Sequence, residues 1–285
     1  MINRLKTRDQ LIDDLLELAF AEDIGDGDHT TLSTIPEDKM GKQHLLIKQE
    51  GILAGVDIAK KVFAKLDPKL KMTVFLTDGT HVHPGDIAFE VEGPVRTLLI
   101  AERTMLNIMQ RMSGVATMTA KYQDRLKGLH TRVLDTRKTT PGMRLLEKDA
   151  VKIGGGENHR IGLFDMILIK DNHVDFAGGI KQAVDRAKKY CEANGKKLKI
   201  EVETRNTDEI LEALEAGVDR IMLDNFTPEA TKEAVKLING RAETESSGGI
   251  TLENLREYGE TGVDYISVGA LTHSVRGLDM SFKAC

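Results

Sequence analysis

The stretch that decides the fold begins as a short apolar strand and continues as a run of hydroxyl and basic residues. It reads Arg132-Val133-Leu134-Asp135-Thr136-Arg137-Lys138-Thr139-Thr140-Pro141-Gly142-Met143-Arg144. Cations gather here and downstream although the whole chain has a formal net charge of -5, namely at Arg132, Arg137, Lys138, Arg144, Lys148, Lys152, Arg160 and Lys170, with His159 among them. Because Arg and Lys donors suit carboxylate and phosphate oxygens, the stretch predicts a pocket for a ligand with several negative charges. The alternative is a solvated basic face.

From residue 131 onward, short apolar runs alternate with helical patterns. The runs cover residues 132–135, 166–169, 198–203, 220–223, 241–245 and 265–268. Residues 214–219 are echoed by residues 258–264, each with a helix end, a glycine stop and the start of the next strand. Alternation of this kind predicts βα units, and the regular repeat favours a (β/α) barrel over an open sheet.

Polar or glycine residues follow each predicted strand of this region. They are Thr136-Arg137-Lys138, Lys170, Glu203, Asp224, Ser247-Gly248-Gly249 and Gly269-Ala270. In parallel barrels the carboxyl ends of the strands form one rim that carries the chemistry, so the sequence predicts that these residues share a site. The Ser-Gly-Gly run precedes a predicted helix, and glycines before a helix N-terminus let a phosphate approach backbone N–H groups.

Two interpretations of the rim carboxylates Glu203 and Asp224 stay open. They either neutralise Lys138 and Lys170, or they stabilise developing positive charge and hold Mg²⁺ through a phosphate-bearing substrate. The position of Lys170 at a strand end would also allow a Schiff-base mechanism, but anion binding is favoured because other cations share its site.

The N-terminal part of the chain mixes helices and strands. Helices are predicted over 8–22, with Thr7 as cap, over 57–66, and over 98–126, where Ser113-Gly114 would divide the segment in two; strands are predicted over 45–49, 52–54 and within 71–99. His81 and His83 are two residues apart, but no third metal ligand is evident, so they are expected to be ordinary surface histidines.

Composition excludes several classes of protein. Among 285 residues, 40% are hydrophobic and 30% are charged, and no apolar run approaches the roughly 18 residues of a membrane span. The N-terminus lacks the apolar core of a signal peptide, and the two cysteines, Cys191 and Cys285, form no disulfide framework, so a cytoplasmic location is expected. A negative balance without Trp argues against nucleic-acid binding.

With these motifs in place, the chain resembles the quinolinate phosphoribosyltransferase family. The matching stretches cover nearly the whole length in order: residues 23–28, 101–103, 106–107, 113–117, 135–144, 155–160, 170–173, 201–203, 223–225, 247–250 and 267–273. The resemblance implies an N-terminal α/β sandwich over 1–113, joined by the tail 274–285, and an incomplete, seven-stranded-type (β/α) barrel of the type II phosphoribosyltransferase kind over 114–273.

The resemblance also implies an activity. The enzyme would transfer the phosphoribosyl group of 5-phosphoribosyl-1-pyrophosphate (PRPP) to quinolinate with Mg²⁺, giving nicotinate mononucleotide, pyrophosphate and CO₂ in de novo NAD biosynthesis. Quinolinate would be held by Arg103, Thr136, Arg137, His159, Arg160 and Lys170. PRPP would be held by Lys138, Glu203, Asp224, Ser247, Gly248, Gly249, Val268, Gly269, Ala270 and His273. Glu203, Asp224 and Lys138 would be catalytic, and the two carboxylates would meet the Mg²⁺ that PRPP carries.

The family likeness further implies a homodimer or a larger assembly of dimers, in which Arg103 comes from the neighbouring subunit. Two other functions remain as alternatives at this point. One is a sister phosphoribosyltransferase that acts on nicotinate, for which the arginine that meets a second carboxylate would be superfluous. The other is a non-catalytic phosphate-binding barrel, which would need the Ser247-Gly248-Gly249 run but would tolerate loss of Glu203 and Asp224.

Overall fold

The structure is a computed structural model that describes residues 6–285. Contacts divide the chain into two compact units. The first comprises the chain up to Ala120 together with Thr139–Gly155 and Leu271–Cys285, and the second comprises Lys121–Lys138 and Gly156–Ala270. The predicted division into residues 1–113 and 114–273 rests on the family resemblance and not on contacts, so it stays a prediction.

The helices and strands alternate along most of the chain. The helices are α1 (Arg8–Ile24), α2 (His29–Thr34), α3 (Val56–Leu66), α4 (Val95–Arg125), α5 (Arg144–Ile153), α6 (Asp171–Ala177), α7 (Ile180–Ala193), α8 (Thr207–Ala216), α9 (Pro228–Ile238), α10 (Leu255–Gly259) and α11 (Ala270–His273). The strands are β1 (Met40–Ile47), β2 (Gly51–Ile52), β3 (Lys71–Val74), β4 (His81–Val82), β5 (Ile87–Pro94), β6 (Arg132–Leu134), β7 (Ile167–Ile169), β8 (Ile200–Thr204), β9 (Arg220–Asp224), β10 (Glu243–Ser247), β11 (Tyr265–Ser267) and β12 (Met280–Ala284).

The first unit is built on a four-stranded antiparallel sheet with the order β12-β1-β5-β3. Phe63 from α3 packs against Phe89 of β5 and Phe282 of β12, with ring centroids 6.2 and 5.8 Å apart, respectively. Burying such aromatic rings supplies a large share of the hydrophobic stabilisation of a small core. The β12 strand joins the edge of this sheet beside β1, so residues from opposite ends of the described chain complete one layer.

Helix α1 begins where the sequence predicts. The side chain of Thr7 accepts the N–H of Gln10, and the Gln10 side chain accepts the N–H of Thr7, which completes a capping box. Reciprocal caps of this kind satisfy two backbone donors that the first helical turn leaves without partners. The predicted start at Arg8 is therefore confirmed.

Two predictions about the segment around α4 are wrong. Val95, which the pattern placed among the strand residues, begins the helix, and Ser113-Gly114 does not divide it. The Ser113 hydroxyl instead bonds the backbone of Ala54 in both directions, at 2.9 and 3.0 Å. A Cβ on Gly114 would lie 2.2 Å from the carbonyl oxygen of Arg276. Small residues here permit close packing against neighbouring backbone and do not mark a helix end.

The second unit contains a six-stranded parallel sheet with the order β6-β11-β10-β9-β8-β7. All six strands fall where the apolar runs predict them. Its main apolar cluster includes the fully buried side chains of Val202, Ile210 and Ile221. Strands buried on both faces are typical of α/β folds, so the βα interpretation is confirmed.

Where the expected barrel would have a seventh strand, the structure has a single bridged residue pair. Glu157 forms an isolated parallel bridge with Leu134, with backbone hydrogen bonds of 2.8 Å to Val133 and 3.2 Å from Asp135. This loop extends the sheet beyond β6 without forming a full strand, so the barrel is incomplete. Within residues 6–285, none of the helices combines the length and apolar character needed to cross a membrane.

Candidate active site

The predicted rim residues of the second unit lie at the carboxyl ends of its parallel strands. Lys170 directly follows β7, Glu203 is the penultimate residue of β8, and Asp224 and Ser247 end β9 and β10. Arg137 and Lys138 lie in the loop after β6 and are exposed. Arg132, one of the cations assigned to the pocket, instead begins β6 at the opposite end of the strand and pairs with Glu157 at 3.3 Å. That assignment is therefore wrong for Arg132.

Lys170 and Glu203 form an ion pair at the rim. The ammonium Nζ of Lys170 lies 2.8 Å from Oε2 of Glu203. The backbone N–H of Lys170 also donates to Nδ1 of His173 at 2.9 Å, which fixes the lysine at the start of α6. This contact supports the first of the two interpretations of Glu203, in which it is a structural partner of Lys170.

The guanidinium groups of Arg137 and Arg160 influence each other electrostatically. Burial and, next, the charge of Arg137 lower the pKa of the Arg160 guanidinium from its ordinary value. Like charges that influence each other in this way are costly in the free protein, and a ligand with two negative charges relieves the cost. Asp135, fully buried at the end of β6, accepts the N–H of His159 at 2.9 Å and thereby anchors the loop that carries Arg160.

A glycine turn follows β10 and contacts the residue that follows β9. The N–H of Asn225 donates to the carbonyl of Ser247 at 2.8 Å, and the Asn225 side chain donates to Asp224 at 2.7 Å. Gly248 has φ +94°, and a Cβ on it would lie 2.1 Å from the Asn225 side-chain oxygen. Only glycine therefore fits at this position.

Gly249 is also in the left-handed region, at φ +61°. Two successive glycines of this kind leave backbone N–H groups open to a phosphate. The helix expected directly after this run begins only at Leu255 and is five residues long. The backbone of the turn, not a helix N-terminus, is thus the feature of this loop that suits phosphate.

A buried cluster below the rim escaped the sequence analysis. Nε2 of His159 lies 2.9 Å from Glu201 of β8 and 3.5 Å from Glu245 of β10, and all three side chains are buried. Because Nδ1 of His159 accepts the N–H of Arg160 at 2.7 Å, the ring proton is on Nε2, facing the carboxylates. Arg220 of β9 contacts Glu245 at 3.1 Å and partly balances the negative charge.

Burial dominates the acid–base behaviour of this cluster. It raises the pKa of Glu201 to about 7, against the opposing charge of Arg220. Burial and then the charge of Glu201 raise the pKa of Glu245 to about 7 as well. The signal that could have revealed the cluster is the acidic alternation in two predicted core strands, Glu201-Val202-Glu203 and Glu243-Thr244-Glu245, where apolar side chains are the norm.

Comparisons with known proteins identify the family of the chain. The model of the quinolinate phosphoribosyl transferase N-terminal domain matches residues 28–113, and that of the C-terminal domain matches residues 115–283. A quinolinate phosphoribosyltransferase [decarboxylating] of Nicotiana tabacum is 48% identical over 94% of this chain and 81% of its own length. A probable nicotinate-nucleotide pyrophosphorylase [carboxylating] of Bacillus subtilis is 45% identical over 94% of this chain and 91% of its own.

Among solved structures, the nicotinate-nucleotide pyrophosphorylase of Francisella tularensis superposes with a TM-score of 0.92 at 41% identity, covering 98% of each chain. The chain belongs to the quinolinate phosphoribosyltransferase family. Its fold is accordingly that of the family, an N-terminal α/β domain and a C-terminal α/β barrel.

The family likeness assigns roles to residues in both compact units. Arg103 is an exposed residue of α4, and His273 is an exposed residue at the end of α11, where its ring contacts Ser274 at 2.7 Å. Both lie in the first unit, and their predicted roles stay predictions. Val268, Gly269 and Ala270 follow β11 at the rim of the second unit, as predicted.

Proposed function

We propose that this chain is a quinolinate phosphoribosyltransferase. It transfers the phosphoribosyl group of PRPP to quinolinate and decarboxylates the product, which gives nicotinate mononucleotide, pyrophosphate and CO₂ for NAD biosynthesis. The family relationship supports this function over the two alternatives. The structural observation that carries it is the placement of Arg137 and Lys170 after the parallel strands β6 and β7 at the carboxyl-end rim, with the charge of Arg137 acting on Arg160.

The two arginines suit the substrate because quinolinate carries adjacent carboxylates on a pyridine ring. A planar guanidinium can donate two parallel N–H bonds to one carboxylate, so two arginines can orient both groups at once. Lys170 adds a third cation, and Thr136 adds a hydroxyl at the same rim. His159, with both ring nitrogens directed to protein groups, supports the loop of Arg160 in this proposal.

PRPP would bind along the opposite part of the rim. The turn at Ser247, Gly248 and Gly249 offers backbone N–H groups to phosphate, and Val268, Gly269 and Ala270 extend this surface, with Lys138 as a further phosphate ligand in the proposal. Glu203 and Asp224 end neighbouring parallel strands in a register that offsets them by two residues. Their oxygen ligands fit Mg²⁺, which would neutralise charge on the pyrophosphate when bound.

The chemistry divides between the substrate and the rim. Departure of pyrophosphate leaves positive charge on the ribose, which the carboxylates of Glu203 and Asp224 stabilise electrostatically. The pyridine nitrogen attacks the anomeric carbon and becomes a positively charged pyridinium. When the neighbouring carboxylate leaves as CO₂, the electrons of the broken C–C bond remain on the ring carbon beside that nitrogen, and a proton replaces the carboxylate.

A homodimer, or an assembly of dimers, completes the proposal. Arg103 is exposed on α4, which suits delivery to a neighbouring subunit. The second unit exposes Leu163, Phe164 and Phe176, with 73, 64 and 92% of each residue accessible, and apolar surface of this kind favours a protein partner. Mixing inactive Arg103→Ala and Arg137→Ala chains should restore activity if one site uses both subunits. A cytoplasmic location remains part of the proposal.

The deciding experiment is a turnover assay with quinolinate, PRPP and Mg²⁺ that follows CO₂ and nicotinate mononucleotide together. Formation of both in a one-to-one ratio is expected. Mononucleotide formed from nicotinate without CO₂ would instead identify the sister activity. Absence of product from either pyridine would contradict a transferase function altogether.

A further inference from the structure

The two-stranded sheet of β2 and β4 carries metal-ligating side chains that the transferase does not use. His81 and His83 are two residues apart on an extended segment, so their side chains leave the same face. Gly51 pairs with Val82 and Ile52 pairs with His81 in the antiparallel register. This register sets Glu50 opposite His83, on the face of the two histidines. The strand pairing thus supplies the third ligand that the sequence pattern lacks.

The three side chains are already close together. Nε2 of His81 lies 3.4 Å from Oε1 of Glu50, and the rings of His81 and His83 have centroids 4.9 Å apart. One donor atom from each residue lies within 4.8 Å of the other two. Ligands of a tetrahedral zinc ion with bonds of about 2.0–2.1 Å are separated by roughly 3.3 Å, so small rotations of exposed side chains complete the geometry.

The backbone beneath these ligands is held in place. Ile52 N–H donates to the hydroxyl of Thr117 at 2.8 Å, and the side chain of Val82 is fully buried between the two histidines in sequence. Asp86 accepts the N–H of His83 at 2.8 Å, and its carboxylate lies 4.0 Å from Nδ1 of the same ring. A fixed backbone lowers the entropy lost when an ion binds, and a carboxylate beside a histidine ligand orients its ring.

We propose that Glu50, His81 and His83 form a binding site for a divalent transition-metal ion of the zinc class. Two imidazoles and one carboxylate are a donor set that zinc accepts, with a fourth position for water. Mg²⁺ prefers oxygen ligands, so the site differs in kind from the one proposed at the rim. The bound ion links β2 to β4, whose ladder consists of two residue pairs.

The test is isothermal titration of ZnCl₂ into the chelator-treated, full-length protein without substrates in a non-coordinating buffer. One zinc ion should bind per chain. His81→Asn, His83→Asn and Glu50→Gln should each weaken binding by about tenfold or more, as expected for loss of one ligand. The matched control is His130→Asn, because His130 is exposed and faces a carboxylate, Asp264, at 3.6 Å but has no second histidine beside it; this variant should bind like the wild type.

Thermal unfolding gives a second readout that does not depend on the transferase. Zinc should raise the Tm of the wild type and of His130→Asn, but not that of His81→Asn, whereas all three should melt alike without metal because the altered side chains are exposed. An excess of Mg²⁺ should not displace the zinc. Wild-type protein that binds no zinc, or zinc binding that survives in both His81→Asn and His83→Asn, would overturn the proposal.

Discussion

Glu201 and Glu203 belong to the same strand, β8, yet they lie in opposite chemical settings. They are two residues apart, so their side chains point to the same face of the sheet. Glu203 lies at the rim, where it pairs with the half-exposed Lys170. Glu201 lies one layer deeper and is completely buried beside His159, with its pKa raised to about 7. Only 8% of Glu203 is exposed, so depth along one strand decides chiefly which charged groups surround each carboxylate.

Among the single substitutions, the largest loss of stability should follow removal of Arg220, the cation that pairs with the buried carboxylates. Its guanidinium contacts Glu243 at 2.9 Å and Glu245 at 3.1 Å, and it lies 4.2 Å from the Tyr265 ring centroid. Arg220→Met leaves buried carboxylates without their cation, which should lower the free energy of unfolding by about 3–5 kcal/mol. Urea denaturation measures this loss. The exposed Arg205→Met, which removes a pair with Glu209, should cost no more than about 1 kcal/mol.

The second prediction tests substrate binding at the rim through Arg137. Arg137→Ala should reduce kcat/KM for quinolinate by about 100- to 1,000-fold, the cost of one charged hydrogen-bonding group in a closed site, while the fold persists. Steady-state kinetics and circular dichroism measure the two effects. Arg132→Ala is the matched control, since Arg132 begins the strand that Arg137 follows. Full wild-type turnover by Arg137→Ala would remove the basis of the proposed function.

The third prediction concerns the glycine turn that follows β10. Gly248→Ala forces a side chain into the left-handed region and against Asn225, so it should destabilise the protein by about 1–3 kcal/mol and raise KM for PRPP. Gly240→Ala is the control because Gly240 has φ +70° but open space around it. It should cost about 1 kcal/mol and leave KM for PRPP unchanged. Equal KM values for the two variants would disprove a role of this turn in substrate binding.

The last prediction concerns the dependence of stability on pH. Burial raises the pKa values of Glu201 and Glu245 from their ordinary value of 4.5 to about 7, so the folded protein binds more protons than the unfolded chain between about pH 4.5 and 7. Stability contributed by these groups therefore falls as pH rises through this window, by at most about 1.4 kcal/mol per pH unit for each group.

Glu201→Gln should remove part of that slope, and the double variant with Glu245→Gln should remove nearly all of it. Free energies of unfolding from urea titrations at pH 5, 6, 7 and 8 measure the change. If the double variant kept the slope of the wild type, the two glutamates would not be its source.

The sequence predicted the rim better than the interior for a physical reason. Strand ends are visible in sequence because apolar runs stop there, and the residues that follow, such as Lys170 and Asp224, must lie on one edge of a parallel sheet. The partners of Glu201 lie on other strands and in a loop, and only folding brings His159 and Glu245 beside it. The acidic alternation in two core strands marks these glutamates as unusual, but the spacing of residues along the chain does not indicate which side chains meet.

The first unit shows a similar limit. Ser113-Gly114 has the composition of a helix break, and nothing local indicates that the backbones of Ala54 and Arg276 approach there. Of the three proposed metal ligands, the sequence indicated two, His81 and His83, as a pair of histidines two residues apart. Its third member depends on the register between β2 and β4, which the sequence does not specify.

The position of β12 beside β1 has a consequence for the order of events during synthesis. The four-stranded sheet of the first unit needs Met280–Ala284 at its edge, so it stays unfinished until these residues have left the ribosome. All six strands of the parallel sheet have by then emerged, because the last of them ends at Ser267. The unit that begins the chain is thus the last to close, and until then β1 presents an open edge to which nascent chains or chaperones can bind.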